Sequence, residues 1–208
     1  MADLPEMSYF VGEQLHGEVY LPDGQRILAP YQTTAADYEC MAIAVEEASL
    51  ALETGNMPVG AVLVNSKGDI WRGHADEHSS HRLNGHAERN VIEKYNLDTG
   101  ILSIQGLTMY TTLVPCVGCA HVLDQGELST MHFAADRQDV KHVTDDGNGN
   151  GAVRERAINM PDILVESPRT MLVVSGLMKA SALELFKRRS ERKVAEQEAL
   201  RVERRRSY

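Results

Sequence analysis

The apolar residues between Thr33 and Gly55 recur at the three- and four-residue spacing of a helix. The stripe consists of Met41, Ala44, Val45, Ala48 and Leu52. Threonines that can cap a first turn precede it and a glycine follows it, so the pattern predicts one amphipathic helix. Residues 57–73 then show two short apolar runs around Ser-Lys-Gly, which predicts two strands joined by a turn.

Helix and strand patterns alternate along the rest of the chain. We expect a helix over 87–100, a strand over 107–114, a short helix over 116–126, a strand over 130–135, a flexible loop over 145–153, a strand over 170–176 and a charged helix from Leu177 onward. Before all of these, Pro-Asp-Gly between short apolar stretches predicts a small hairpin within residues 1–34. This order is typical of an α/β fold with a mixed sheet and helices on both faces.

Composition and charge narrow the class of protein. With 208 residues, 43% hydrophobic and 25% charged, the chain is typical of one globular domain with extensions. The start has no signal-peptide pattern, no apolar run reaches membrane-span length, and three cysteines do not make a disulfide framework. We therefore expect a cytoplasmic protein without a membrane partner. The net charge of −9 is uneven: residues 187–208 hold 9 Lys and Arg against 4 Asp and Glu, and the acidic remainder argues against broad nucleic-acid contact.

Two of the three cysteines lie in LVPCVGCAH, residues 113–121. Cys116 and Cys119 are three positions apart at the predicted start of a helix, so they share a face, and the helix N-terminus favours their thiolates. In a reducing compartment such a pair binds a metal or does redox chemistry more often than it forms a structural disulfide. A catalytic zinc takes three protein ligands and leaves one position open, so the pair needs a third ligand.

The segment GHAERN, residues 85–90, offers that ligand. His86 stands at the predicted start of another helix and Glu88 follows two positions later. Side chains two apart on a helix point about 200° apart, so both serve one site only where a helix begins. Cys40 is a poorer candidate because no ligand partner lies near it in sequence, and we expect it to be a small buried residue. His-x-Glu followed by Pro-Cys-x-x-Cys is the signature of zinc-dependent base deaminases.

With these motifs the chain resembles the cytidine and deoxycytidylate deaminase superfamily, especially its branch of tRNA adenosine, guanine and cytosine deaminases. The resemblance covers residues 36–189 and rests on MPVGAVLVN, GHAERN, TTLVPCVGCA and FAADR. It implies a three-layer αβα sandwich around a central mixed five-stranded sheet. It also implies one Zn²⁺ per chain with His86, Cys116 and Cys119 as ligands, and a proton-shuttle role for Glu88.

The resemblance further implies where a substrate binds, with one departure from the family. That branch has an Asn eleven residues before the zinc-binding His, where it hydrogen-bonds the base, whereas this chain has Ala75. Its neighbours His74 and Asp76 are candidates to replace the Asn, in a loop that is unlike the family. The predicted substrate-binding residues are Pro58, Val59, His74, Ala75, Asp76, Ala87 and Pro115.

The same resemblance divides the chain into an N-terminal extension (1–34), a zinc deaminase domain (35–189) and a basic C-terminal helical tail (190–208). The expected activity is hydrolytic removal of an amino group from a small nucleobase, nucleoside or related heterocycle by a homodimer or higher homo-oligomer. The tail resembles the basic final helix of tRNA-editing enzymes, so RNA contact is a further expectation.

Several alternatives stay open at this stage. The first is a tRNA adenosine-to-inosine editing deaminase, and the second is a non-catalytic zinc-bound module that binds a nucleotide or a partner. A structural zinc site needs four protein ligands and no neighbouring acid. A thioredoxin-like redox pair leaves GHAERN without a role, and retention of Glu88 argues against an inactive, metal-bound deaminase.

Overall fold

The computed structural model describes residues 12–144 and 158–206, and the predicted loop over 145–153 lies outside the described residues. The strands are β1 Gln14–Tyr20, β2 Arg26–Leu28, β3 Tyr31–Gln32, β4 Gly60–Val64, β5 Ile70–His74, β6 Thr108–Leu113, β7 Thr130–Ala135 and β8 Met171–Ser175. The helices are α1 Ala35–Glu53, α2 Ala87–Thr99, α3 Val117–Gln125, α4 Arg137–Thr144, α5 Met160–Leu164 and α6 Lys179–Arg206. Within the described ranges, no helix combines the length and the apolar character needed to cross a membrane.

The strands form one mixed sheet in the order β2-β1-β8-β7-β6-β4-β5, and β3 pairs with β1. Strand β7 is parallel to both of its neighbours, β6 and β8, whereas all the other strand pairs are antiparallel. The α/β class and the mixed sheet are confirmed. The count of five strands describes only β5-β4-β6-β7-β8, because β1 pairs with β8 along its length and, together with β2 and β3, extends the sheet to eight strands.

Residues 14–28 form a hairpin that is part of the sheet. Strands β1 and β2 pair antiparallel, and the turn between them is the Pro-Asp-Gly stretch. A Cβ at position 17 would overlap the carbonyl oxygen of Ala29, so Gly17 allows the chain to fold back closely. At the other end of the chain, α6 continues without interruption past residue 189. The division into a domain and two extensions stays a prediction.

Helices cover both faces of the sheet. Helix α1 packs on β4, β5 and β6 and also contacts α6, whereas α2 packs on the opposite face of β4 and β5, and α3 contacts α5. Helix α1 begins at a capping box, in which the Thr34 hydroxyl accepts from the Asp37 amide and the Asp37 carboxylate accepts from the Thr34 amide. The two N-termini of α2 and α3 lie on the same face of the sheet and approach each other.

Close packing of α1 on β4 depends on the missing side chain of Gly60. A Cβ there would overlap the carbonyl oxygen of Ala44 and lie 2.5 Å from the amide nitrogen of Ala48, both of which are backbone atoms. We expect Gly60→Ala to lower the free energy of unfolding by about 3 kcal/mol, because the added methyl group would overlap backbone atoms, which cannot move aside as a flexible side chain can. Urea unfolding measures this. Gly68→Ala is the matched control: its methyl meets nothing within 4 Å, and at φ +87° it costs only about 1–2 kcal/mol.

A buried histidine lies beneath α1. His132 is 0% exposed, its ring stacks on Tyr110 with centroids 4.7 Å apart, and it meets the edge of Tyr31 at 4.9 Å. Its Nε2 lies 3.9 Å from Oδ1 of Asp37, and neither ring nitrogen has a hydrogen-bond partner among the described residues. Burial lowers the pKa of His132 to about 4, against a smaller opposing effect of Asp37.

This low pKa predicts acid sensitivity of the fold. Between about pH 6.5 and pH 4, His132 is protonated in the unfolded chain and neutral in the folded protein. The free energy of unfolding therefore falls as the pH falls through that window. The expected loss is about 3 kcal/mol between neutral pH and pH 4. Chemical unfolding of wild type and His132→Phe at both pH values measures it, because the phenyl ring keeps the shape and does not titrate. Equal pH dependence in the two proteins would contradict the expectation.

Candidate metal centre

The first functional side chains lie where α2 begins. His86 is the N-cap residue, with extended backbone angles of φ −83° and ψ 147°, and the helix starts at Ala87. Two residues that are two positions apart within an ideal helix point in nearly opposite directions. This does not apply here, because His86 precedes the helix and Glu88 lies in its first turn. Glu88 is 3% exposed. The helix-start geometry predicted from the sequence is therefore the geometry that the structure shows.

The two cysteines lie where α3 begins. Strand β6 ends at Leu113, and Val114 still donates its amide to the carbonyl of Ala135 at 2.8 Å. After Pro115, Cys116 is the N-cap of α3 with extended angles of φ −71° and ψ 164°. Cys119 lies one turn further along the helix and is 1% exposed. The spacing of three thus places both sulfur atoms at the same helix end.

The donor atoms of these two helix ends converge. Nδ1 of His86 lies 3.6 Å from Sγ of Cys116 and 3.5 Å from Sγ of Cys119. The three donor atoms all lie within 4.8 Å of one another. A tetrahedral zinc with bonds of about 2.3 Å to sulfur and about 2.05 Å to nitrogen separates those ligand atoms by about 3.6 Å. The residues therefore fit a zinc ion in both donor chemistry and spacing.

The thiols and the imidazole interact electrostatically in a way that suits a cation. The pKa of Cys116 is lowered to about 3, first by its hydrogen bond to the Cys119 thiol and then by its interaction with His86. Burial acts in the opposite direction. The pKa of Cys119 is raised by its hydrogen bond to Cys116 and by burial. The hydrogen bond to Cys116 raises the pKa of His86. One thiolate is thus already favoured, and a divalent cation in the same place would favour the second.

Glu88 is the carboxylate next to these donors. Burial raises its pKa, while its own backbone amide and His86 act in the opposite direction. A carboxyl group with a raised pKa is suited to both accepting and releasing a proton near neutral pH. A hydrogen bond also joins the starts of α2 and α3, because Nη2 of Arg89 donates to the carbonyl of Gly118 at 3.0 Å.

The predicted substrate-binding residues do not all reach this place. Val59, Ala75 and Ala87 are buried in one core cluster on the α2 side of the sheet, at 8%, 2% and 1% exposure. Ala75 donates its amide to the carbonyl of Val59 at 2.9 Å and offers a methyl group only. Pro58 and Pro115 are also buried. Pro115 directly precedes the first cysteine.

His74 and Asp76 have other partners. Nδ1 of His74 lies 2.6 Å from Oε2 of Glu47, so its ring faces α1 on the opposite side of the sheet. Oδ1 of Asp76 accepts from Nδ2 of Asn90 at 2.9 Å, and Asn90 also donates to the carbonyl of His74 at 2.8 Å. The structure does not bring the His74 ring to the donor cluster. Asp76 instead connects the loop after β5 to α2 through its hydrogen bond with Asn90.

That loop carries a carboxylate that the sequence reasoning did not single out. Oε1 of Glu77 lies 3.4 Å from Nε2 of His86, on the side of the ring that faces away from the two sulfur atoms. No local pattern in the sequence marks this contact, because it depends on how residues 76–85 fold back. Asp76 donates its amide to the carbonyl of Gly85 at 2.8 Å, which closes the loop.

A cleft of about 300 Å³ is lined in part by Val114 and Pro115, the two residues that precede Cys116. Its apolar lining includes Tyr20, Phe133, Met160 and Val173, and its polar lining includes His16, Glu18, Asp136, Arg137 and Asn159. The donor residues themselves do not line it. The volume is at the lower end of the range of about 300–1,000 Å³ for pockets that hold small molecules.

Comparisons with known proteins agree with this geometry. The family model of the cytidine and deoxycytidylate deaminase zinc-binding region matches residues 34–135. A tRNA-specific adenosine deaminase from Bacillus subtilis is 36% identical over 92 residues, which are 44% of this chain and 57% of that protein. One from Aquifex aeolicus is 30% identical over 100 residues, or 48% of this chain and 65% of that protein. The chain thus spans less than two thirds of either relative.

The fold comparison extends further along the chain. The structure of guanine deaminase from Nitrosomonas europaea covers 92% of this chain and 96% of its own, with a TM-score of 0.62 and 16% identity. At that identity the likeness shows a shared fold. The matched zinc-binding region contains all three donor residues, so zinc is the metal that the family supports at this centre. Residues 34–135, which contain the His-Cys-Cys centre, thus form a zinc-binding region of the cytidine and deoxycytidylate deaminase superfamily.

Proposed function

We propose that this protein is a zinc-dependent hydrolytic deaminase that converts an amino group on a small nucleobase or nucleoside to a carbonyl and releases ammonia. The observation that carries the proposal is the buried Glu88 carboxylate beside a cluster of one imidazole and two thiols. A purely structural zinc site does not need an acid at this place and takes a fourth protein ligand. Among the described residues, the cluster has three donors.

The roles of the residues follow from their chemistry. His86, Cys116 and Cys119 would hold the zinc, which when bound would lower the pKa of water so that hydroxide is available to attack a ring carbon at neutral pH. Glu88 accepts a proton from the attacking water and passes it to the ring nitrogen. It then takes the second proton from the hydroxyl group now attached to the ring carbon and gives it to the amine, so that the C–N bond breaks, the carbonyl forms and ammonia leaves. General acid–base assistance of this kind contributes about 10²–10⁴-fold.

A structural relative favours a small substrate. The guanine deaminase that shares the fold acts on a free base according to its name, and its structure matches nearly the whole of this chain. Ala75 offers no side chain that can hydrogen-bond a base edge, so we expect the base to be read by other groups.

The test is ammonia release by the full-length, zinc-loaded protein from cytosine, guanine, adenine and their nucleosides. We expect turnover of at least one of these compounds and its loss in Glu88→Gln at equal zinc content. A zinc-loaded protein that releases no ammonia from any of them would count against the proposal, and it would favour a non-catalytic module that binds a nucleotide or a partner.

Editing of adenosine in tRNA is the second candidate, and a specific observation favours it. The sequence relatives are tRNA-specific adenosine deaminases, and residues 191–200 in the C-terminal part of α6 are exposed and include Arg192 and Lys193 beside three glutamates. If tRNA is the substrate, Arg192→Glu with Lys193→Glu in the full chain weakens tRNA binding and leaves small-molecule turnover unchanged. Unchanged tRNA binding would argue against contact through this helix.

A further inference from the structure

The loop between β5 and α2 holds a carboxylate against the far side of the metal-binding imidazole. Nδ1 of His86 faces the two sulfur atoms at 3.5 and 3.6 Å, whereas Nε2 faces Oε1 of Glu77 at 3.4 Å. Glu77 is therefore not in a position to be a fourth ligand. It lies on the side of the ring from which a carboxylate can receive the second ring proton of a ligating histidine.

Several long-range contacts place Glu77 there. Asn56, at 0% exposure, accepts hydrogen bonds from the amides of His78 at 2.8 Å and Ser79 at 3.1 Å, which directly follow Glu77. Its Nδ2 also donates to the Ser79 hydroxyl at 2.8 Å. Gly85 fits tightly inside the loop, because a Cβ there would overlap Oδ1 of Asp76 and lie 3.1 Å from the amide nitrogen of Glu77. The loop is thus fixed at both ends.

One oxygen of the Glu77 carboxylate is buried, although the side chain as a whole is 24% exposed. Its Oε2 is buried without a hydrogen-bond partner among the described residues. The buried guanidinium of Arg189 on α6 interacts with it electrostatically, and that guanidinium is itself tied to the carbonyl of Asn56 at 3.3 Å. A buried carboxylate oxygen without a hydrogen-bond partner is costly unless a cationic group faces it. A metal-bound imidazole with a proton on Nε2 is such a group.

We propose that Glu77 is a positioning residue of the metal centre, which accepts the Nε2 proton of His86 and so fixes the tautomer and the ring orientation that present Nδ1 to the metal. This rests on the proposed zinc centre. A carboxylate in this place strengthens the histidine as a ligand, and loss of such partners typically weakens metal binding about 10–100-fold. It also assigns a role to the loop between β5 and α2.

Zinc affinity of the full-length protein tests the proposal. Competition with a chromophoric chelator gives the zinc dissociation constant of wild type, Glu77→Gln and Glu77→Ala. We expect zinc binding about 10–100-fold weaker in both variants, with Ala at the weaker end. Glu53→Gln is the matched control, since it removes one exposed charge from α1 and is expected to bind zinc as wild type does. Wild-type affinity in both Glu77 variants would overturn the proposal.

A second measurement reports on the His86 ring directly. In zinc-loaded wild type labelled with ¹⁵N-histidine, we expect the His86 signals to show a metal on Nδ1 and a slowly exchanging proton on Nε2, and in Glu77→Ala that proton exchanges rapidly. A metal on Nε2, or a proton whose exchange is the same in both proteins, contradicts the role of Glu77. If wild type binds no zinc, the proposed function fails as well. If wild type binds zinc and only the Glu77 results disagree, the proposed function stands.

Discussion

Replacement of Glu88 by Gln is expected to lower deaminase turnover by about 10²–10⁴-fold and to leave zinc content unchanged. The substitution keeps the size of the side chain and removes its ability to accept a proton. Because Glu88 is 3% exposed, solvent has little access from which to replace it as a proton carrier. The loss should appear in kcat, since the group acts on the transition state more than on substrate binding.

The measurement is ammonia release by both proteins on the substrate that wild type turns over, at zinc contents matched by elemental analysis. Glu93→Gln is the matched control: it lies on the same helix, is 58% exposed at its side chain and should retain wild-type turnover. Full activity of Glu88→Gln with zinc bound would show that another group carries the proton.

Replacement of Cys119 by Ala is expected to weaken zinc binding by more than about 100-fold, because even partners outside the ligand set contribute 10–100-fold. Cys119 contributes one of the three donors. Because it is 1% exposed, a side chain on the protein surface cannot reach the place of its sulfur. Chelator competition followed by elemental analysis gives the affinity and the residual zinc per chain. Activity should fall in parallel with zinc content.

Cys40→Ala provides the comparison for this variant. Cys40 is also buried, at 6% exposure, but it packs in the cluster beneath α1 and is not among the donors. We expect it to retain its zinc and its activity and to lose only a small amount of stability. Zinc loss in Cys40→Ala together with retention in Cys119→Ala would refute the assigned ligands.

The metal centre could be predicted from the sequence because its geometry is local. His86 and Glu88 stand at one helix start and Cys116 and Cys119 at another, and each helix start is marked by its own short motif. The α/β class followed from the alternation of helix and strand patterns for the same reason. The pairing of β1 with β8 could not be predicted, since it joins residues more than 150 positions apart and no short pattern specifies it.

The directions of the side chains predicted to bind substrate could not be read from the sequence, for a physical reason. His74 and Ala75 are neighbours at the end of a strand, so their side chains point to opposite faces of the sheet. Ala75 faces the α2 side, and His74 therefore faces Glu47 on α1. Which of the two faces the centre depends on the strand register. Glu77 was missed because its position depends on Asn56, which lies more than 20 residues earlier in the chain.

X-ray absorption at the zinc edge of the purified full-length protein tests the central claim most directly. We expect about one zinc per chain with two sulfur atoms and one imidazole nitrogen from the protein, and a fourth position filled by solvent. That result would establish a centre that is open for chemistry beside Glu88. A zinc with four protein ligands, or a protein that binds no zinc at all, would contradict the account.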